Sequence, residues 1–536
     1  MQAINTSPMR LSQPAQQPGQ PTASSGWRRL LSLALLLVGV ELGLFVRLYF
    51  VLTADFPVND GGMFYAMIQD LLANDFVLPR TISYNGGQIP FAYPPLAFYL
   101  AAFLARSTGW APLSIVQFLP GVVSGATILP FLLLSRKLLA SRWQVGLAVM
   151  AFAFIPRSFN WEIMGGGLTR SLGFFFALWA IYAALQLFRT RRARYIPVVA
   201  TLAALTILSH LEMGLFAAAT SVLLFLFYGR NRRSFVHALL VTGLAVVLAG
   251  PWWWTVLGYH GLSPFLAAAQ TGAHSWLALM PLLLLNFTNE PFSGLLVVLG
   301  LLGLFVAWAD GKRFLPVWFV ILFLLDPRKA ATYSTVPLAM AIAIALDQMI
   351  LPRLRIRSRW LPGLLLAIFL LHTLISTLSI SLEEKSPVQV LPPEERQAMA
   401  WVAENTPPES RFLVIGPSPS WPRDATSEWF PVLAERLSLA TVQGTEWLPD
   451  GRFEEMAEAF PKLQRCGTDD VRCVESWAQE NRADFTHIFV SKSLLGADPE
   501  KGRECCAALR FSLAQDPDYR ILYDGPGALV AAKATP

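Results

Sequence analysis

Apolar runs long enough to cross a bilayer dominate the first 381 residues. The first, 30–52, covers roughly the 20 residues a crossing needs, and Arg28 and Arg29 flank its N-terminal end. Further runs at 113–134, 143–156, 168–188, 195–210, 211–228, 236–256, 292–309, 314–325, 331–351 and 360–381 bring the predicted crossings to eleven. Two shorter apolar pieces, 94–105 and 276–287, have flanking prolines and are expected as juxtamembrane or re-entrant helices of the outer face, packed on protein. A full crossing by either would invert the topology downstream unless the other crossed as well, so the count ranges over about two. In the loop 54–111, Met63, Met67, Ile68, Leu71 and Leu72 recur at three- and four-residue spacing, which predicts an amphipathic helix lying along the membrane surface. Beyond residue 382 the pattern changes. Pro392-Pro393-Glu394-Glu395 reads as a helix start, 411–416 and 486–491 as strands, and 519–523 with 528–531 as a hairpin around Asp524-Gly525. The fold class is therefore an all-α polytopic membrane domain of about eleven transmembrane helices over 27–381, followed by a small extracytoplasmic α/β domain over 382–536.

Composition agrees: 54% of the residues are hydrophobic and only 15% are charged. The net charge of +6 divides unevenly, because residues 1–381 carry 26 Lys and Arg against 11 Asp and Glu, while 382–536 carry 16 against 25. The excess cations sit in five short loops, around Arg136 to Arg142, Arg189 to Arg194, Arg230 to Arg233, Lys312/Arg313 and Arg353 to Arg359, which makes those loops cytoplasmic and gives no reason to expect nucleic acid. The segment 1–26, rich in Gln, Pro, Ser and Gly, lacks the apolar run of a signal peptide and is expected to be a disordered cytoplasmic tail. The first span is then an uncleaved anchor in a multi-pass protein of the plasma membrane. All four cysteines, Cys466, Cys473, Cys505 and Cys506, lie in the C-terminal domain, where an even count favours disulfides in one of three connectivities; their spacing is poor for zinc.

Ionisable groups near hydrocarbon are costly, so those at the outer helix ends are candidates for function. Asp60, in Asn59-Asp60-Gly61-Gly62, either starts the loop helix as an Asx-turn or N-cap or acts as a base. Glu162 precedes Gly165-Gly166-Gly167, whose small size permits close backbone approach to a ligand. Asp60 and Glu162 could share a divalent cation such as Mg or Mn, or one could act alone. His210 and Glu212 fall at an outer turn, and Arg328 and Lys329 interrupt an apolar run. These two cations suit a lipid-linked phosphate or diphosphate, and Arg170 is a further candidate. Glu41 and Arg47, inside the first span, each call for a polar partner on another helix. No phosphate loop, nucleophile elbow, zinc-protease motif or dinucleotide fingerprint is present.

One N-terminal span, a long first loop with an early acid, the segment Tyr93-Pro94-Pro95-Leu96, many further spans and an α/β tail resemble the C-type glycosyltransferase superfold of oligosaccharyltransferases, protein O-mannosyltransferases and aminoarabinose transferases. The resemblance implies a hexosyl- or pentosyltransferase. It makes Asp60 the catalytic acid, Glu162 the matching acid of the second loop, Arg170, Arg328 and Lys329 the phosphate ligands, and Tyr93, His210 and Glu212 further substrate-binding positions. The implied partners are the lipid bilayer, a polyprenyl-phosphate-linked sugar, and a glycan, lipid or protein acceptor. The pattern departs from the family where Asp60 is followed by two glycines, and no Trp-Trp-Asp occurs. A flippase or transporter of a lipid-linked substrate and a non-catalytic scaffold are the alternative readings. The C-terminal domain is expected to cover the outer face.

Overall fold

The computed structural model describes residues 23–271, 280–292, 294–357, 360–382, 386–495 and 503–534. Among these, seven helices are long and apolar enough to cross a membrane: Ser32–Thr53, Pro112–Leu138, Gly167–Thr190, Leu211–Tyr228, Arg232–His260, Ala330–Leu354 and Leu361–Leu378. The other four predicted crossings are also helices, Arg142–Phe154, Tyr195–Ser209, Leu295–Ala309 and Phe314–Leu325, of 12 to 15 residues each. At about 1.5 Å per residue they fall short of a hydrocarbon layer of roughly 30 Å. The first of them is buried continuously from Gln144 to Phe154, so its C-terminal end lies within protein, where irregular backbone is tolerated, while Arg142 at its start is exposed. The piece expected at 94–105 is the helix Leu96–Thr108, which buries Ala97, Phe98, Ala101, Ala102 and Ala105. That expected at 276–287 lies partly outside the described residues, and a short helix, Met280–Leu283, belongs to it.

Two expectations need correction. The first helix starts at Ala23, inside the segment assigned to a tail; Pro21 is the last helix breaker before it, and the rest of that segment lies outside the described residues. Arg47 has its polar partners, but Glu41 does not. Arg47 is fully buried and donates to the carbonyls of Ala153 at 2.8 Å and Phe152 at 3.2 Å, and to Ser158 Oγ at 2.9 Å. Those carbonyls end the helix Arg142–Phe154 and have no acceptor role left within it, so a cation is favoured there. Glu41 is exposed on the opposite face, with Leu44 and Phe45, and forms no hydrogen bond or ion pair among the described residues.

In the C-terminal domain a helix, Pro393–Asn405, opens with proline in its first turn, as expected. The sheet has five strands in the order Leu437–Ser438, Arg411–Ile415, His487–Ser491, Ala528–Lys533 and Tyr519–Asp524. The first three are parallel and the last two antiparallel to their neighbours, with Phe412 opposite His487 and Val490 opposite Leu529. Only the two-residue edge strand was without a sequence signal. The disulfides are Cys466–Cys473 and Cys505–Cys506.

Strand residues alternate between faces, and here the two faces serve different cores. Leu413 and Ile415 pack against the domain's own helices and the disulfides. Phe412 and Val414 face Trp429 and Phe430 of the helix Ala425–Leu433, and that core continues without a break into Met63, Phe64, Tyr84 and Phe98 of the first loop. The loop helix, Gly62–Ala73, is accordingly buried through Met63, Met67, Ile68 and Leu71 within protein. It does not lie along a membrane surface, because the apolar stripe that could have faced lipid is covered by the helices Leu96–Thr108 and Pro112–Ala126 together with the C-terminal domain. An antiparallel bridge between Val58 and Val390 and paired hydrogen bonds between Asn85 and Ser438, at 3.0 and 2.8 Å, extend the same contact.

Candidate active site

Asp60 is not the cap of the helix that follows it. The N-cap is Gly61, which offers no side-chain acceptor, and the Asp60 carboxylate turns towards the second loop instead. Its Oδ1 accepts from the Gly166 N–H at 2.8 Å, and its Oδ2 meets Arg170 Nη2 at 3.2 Å. A Cβ at Gly166 would stand 2.3 Å from Asp60 Oδ2, so the glycine run permits close approach to Asp60 itself and not to a ligand. Arg170 is fixed from its other side by donating Nε–H to the Trp161 carbonyl at 3.0 Å. The Asp60 side chain keeps 20% of its surface exposed, enough to present an oxygen to the space beside it.

That space is a cavity of about 490 Å³ between the first loop, the helix ends at 210–212 and 326–329, and the C-terminal domain. Asp60, Tyr93, Arg170, His210, Glu212, Arg328 and Lys329 all line it. Glu212 does not stand ready for an anion; it holds the cations, with Oε1 at 2.6 Å from Arg328 Nη2 and Oε2 at 3.1 Å from Lys329 Nζ. Lys329 and Arg328 keep further N–H groups for an anion in the cavity, since an ammonium has three donors and a guanidinium five. His210 Nε2 is 4.0 Å from Glu212, and its Nδ1 is buried without a partner among the described residues. Tyr93 packs edge-on against Phe64 at 5.1 Å and Trp447 at 5.4 Å, and receives the Thr169 hydroxyl at 3.5 Å.

Glu162 is the candidate that the structure leaves out of the cavity lining. It is buried, its Oε2 has no partner among the described residues, and burial pushes its carboxyl up to about 7 despite the nearby Arg170, Lys329, Arg157 and Arg47. The second acid beside Asp60 is Glu428, from the C-terminal domain. Asp60 is engaged by an N–H and a guanidinium, while Glu162 stands outside the cavity lining. No group of three or more His, Cys, Asp or Glu among the described residues fits a metal ion, and this donor set, with its arginines, suits anions better.

The wall formed by Trp421, Glu428, Gln443, Glu446, Trp447 and Phe453 has no counterpart in the sequence reading. Burial holds Glu446 up at about 6, and Glu428 is raised to about 8 by burial and by the neighbouring Asp60 charge. Glu428 Oε2 accepts from the Gly61 N–H at 2.9 Å and Oε1 from the Met63 N–H at 3.2 Å. Its contact with the first loop spans more than 360 residues of sequence, and an acid before two aromatics, Glu428-Trp429-Phe430, carries no local signal for it. The cations that line the cavity, Arg170, Arg328 and Lys329, all come from the bundle side, where Asp60, Glu212 and Asp326 accompany them, and the C-terminal domain adds two further acids and three aromatics.

No family model and no curated protein sequence matches the chain. Solved structures do. The chain is similar to the oligosaccharyltransferase of Archaeoglobus fulgidus in complex with Zn and sulfate, with TM-score 0.54 and 15% identity over 85% of this chain and 68% of that one. It is similar to the arabinofuranosyltransferase AftD from Mycobacteria, with TM-score 0.54 and 15% identity over 94% of this chain and 40% of that one. ArnT from Cupriavidus metallidurans bound to undecaprenyl phosphate aligns with TM-score 0.50 and 14% identity over 95% of this chain and 98% of that one. At these identities the likeness is one of fold, and the fold is that of the C-type glycosyltransferases, as the resemblance in sequence layout implied.

Proposed function

We propose that the protein is an integral membrane glycosyltransferase, moving a sugar from a polyprenyl phosphate or diphosphate to a glycan, lipid or protein acceptor. The observation that carries this reading is the placement of Asp60 and of the cations Arg170, Arg328 and Lys329 around one cavity at the end of a membrane helix bundle. A donor of this kind is already activated, so no nucleotide is required by the chemistry. Asp60 takes the proton of an acceptor hydroxyl while that oxygen bonds to the anomeric carbon and the bond from that carbon to the phosphate oxygen breaks. The electron pair leaves on the lipid phosphate, whose charge Arg328 and Lys329 stabilise. Attack from the face opposite the departing phosphate inverts the anomeric centre. The Gly166 N–H and Arg170 orient the Asp60 carboxylate for the proton it receives.

The ArnT structure with undecaprenyl phosphate supports a lipid-linked donor on this fold. The five basic loops belong to the other end of the bundle, where Arg189 bonds to the Lys137 carbonyl at 2.7 Å, so the positive-inside rule puts the cavity and the C-terminal domain outside and the N-terminus in the cytoplasm. The reading is tested by incubating purified protein in lipid nanodiscs with a pool of radiolabelled polyprenyl-phosphate sugars and membrane extract. Label transferred to an acceptor is the expected result. Movement of the intact lipid-linked sugar across liposomes, without transfer, would instead establish a transporter.

A further inference from the structure

The backbone on both sides of Asp60 is held by two consecutive residues of the C-terminal domain. On one side the Trp429 indole Nε1–H donates to the Asn59 carbonyl at 2.9 Å, and on the other the Glu428 carboxylate accepts from the Gly61 and Met63 N–H groups. We infer that Glu428 is a positioning residue, a helix cap supplied by a separate domain, that with Trp429 locks the Asp60 loop into the geometry of the cavity. The inference rests on the proposed role of Asp60 for its catalytic part only.

Four observations lead there. First, the helix Gly62–Ala73 has no cap of its own. Its N-cap glycine carries no acceptor and Asp60 is turned away to Gly166 and Arg170, so its first N–H groups would be left without partners in a buried place. Second, Glu428 is 2% exposed and spends both carboxylate oxygens on those N–H groups. Its two oxygens thereby satisfy N–H groups that would otherwise be orphaned in a buried place. Third, a Cβ at Gly62 would lie 2.8 Å from the Glu428 carbonyl oxygen and 3.3 Å from Trp429 Cα. The second glycine of Asn59-Asp60-Gly61-Gly62 is therefore where the two backbones meet. Fourth, the holder is itself held: Tyr84 donates to the Glu428 carbonyl at 2.7 Å, and Asn59 Nδ2 donates to the Pro422 carbonyl at 3.0 Å. Trp429 packs edge-on to Phe56 at 4.6 Å.

The chain order explains how the domain supplies this clamp. The helix Ala425–Leu433 is the crossover between two parallel strands, Arg411–Ile415 and Leu437–Ser438, so the sheet fixes its position. An adjustment of the sheet would be felt directly at Asn59 and Gly61. The domain then completes the site and does more than cover it.

The test compares wild type with Glu428→Ala and Glu428→Gln in the full-length protein, using hydrogen exchange of peptides covering 58–66 together with transfer kinetics. In the Ala variant those amides should exchange roughly tenfold faster or more, with the transmembrane helices and the sheet unchanged, since hydrogen bonds to a buried acceptor are lost. The kcat should fall roughly tenfold to a hundredfold while the KM for the polyprenyl-phosphate sugar changes little, as expected when a reacting group is displaced and the donor site is intact. The Gln variant keeps one acceptor oxygen and should fall between the two, which guards against mere misfolding of the Ala protein. Unchanged exchange at 58–66 in the Ala variant would overturn the clamp, and faster exchange with unchanged kcat would overturn its link to Asp60. If the wild type transfers no sugar, the exchange result still decides the clamp, and only the proposed function fails.

Discussion

A methyl group at Gly166 has nowhere to go except into the Asp60 carboxylate, whose three atoms would lie 2.3 to 2.7 Å from it. Gly166→Ala should therefore push Asp60 off the Gly166 N–H and reduce transfer at least tenfold, at a stability cost of about 1–3 kcal/mol typical of overpacking. Kinetics and thermal unfolding on the same preparation check both parts. The cation pair makes a different prediction. Arg328→Ala or Lys329→Ala removes a charged hydrogen-bond donor worth roughly 1.5–3 kcal/mol, so the KM for the polyprenyl-phosphate sugar should rise about ten- to a hundredfold in donor-titration assays. Glu212→Gln should lower that KM, because it frees Arg328 and Lys329 from a competing carboxylate. At this scale the sequence was a good guide to which polar residues gather, since an acid, an arginine or a histidine at the end of an apolar run is conspicuous. Glu162, on a loop that folds inward, is buried outside the cavity lining, and the sequence was silent on Glu428. Nothing near either residue in the sequence encodes which way its loop or helix faces.

Helices were legible for the same reason that they are stable in a bilayer: apolar length is local information. All eleven predicted spans are helices, including the four of 12 to 15 residues, and apart from the early start of the first at Ala23 their ends fall within about four residues of those expected. The loop helix was equally legible as amphipathic, yet its apolar face is covered by protein, because periodicity reports that a face is buried but not by what. Three acids at these element junctions give the stability a definite pH dependence. Burial holds Glu162 and Asp424 up at about 7, and burial with the Asp60 charge holds Glu428 up at about 8, against ordinary values of 4.5, 3.8 and 4.5. The folded state thus binds more protons than the unfolded chain between those limits. The stabilisation is complete below pH about 4 and is lost as the pH rises through 7 to 8. The apparent melting temperature in detergent should fall between about pH 5.5 and pH 8.5, and Glu428→Gln should flatten that slope. A melting temperature that rises over this range would contradict the burial of these carboxyls.

The molecule as a whole is two domains that share one core. One face of the C-terminal sheet packs on its own helices, and the other continues through Trp429 into the first loop, so the cavity has walls from both ends of the chain. The change of composition near 382–392 is visible in the sequence, but the shared core is not, because strand alternation marks two buried faces without saying whose side chains fill the second. On the proposed function, the cavity transfers a sugar with Asp60 as the base. The measurement that bears on it most directly is sugar transfer from a polyprenyl-phosphate donor by purified wild type and Asp60→Asn side by side, with donor binding and thermal unfolding followed in parallel. The account predicts transfer by the wild type and a loss of roughly a hundredfold or more in the variant, with donor binding and melting temperature retained. Undiminished transfer by folded Asp60→Asn would contradict it.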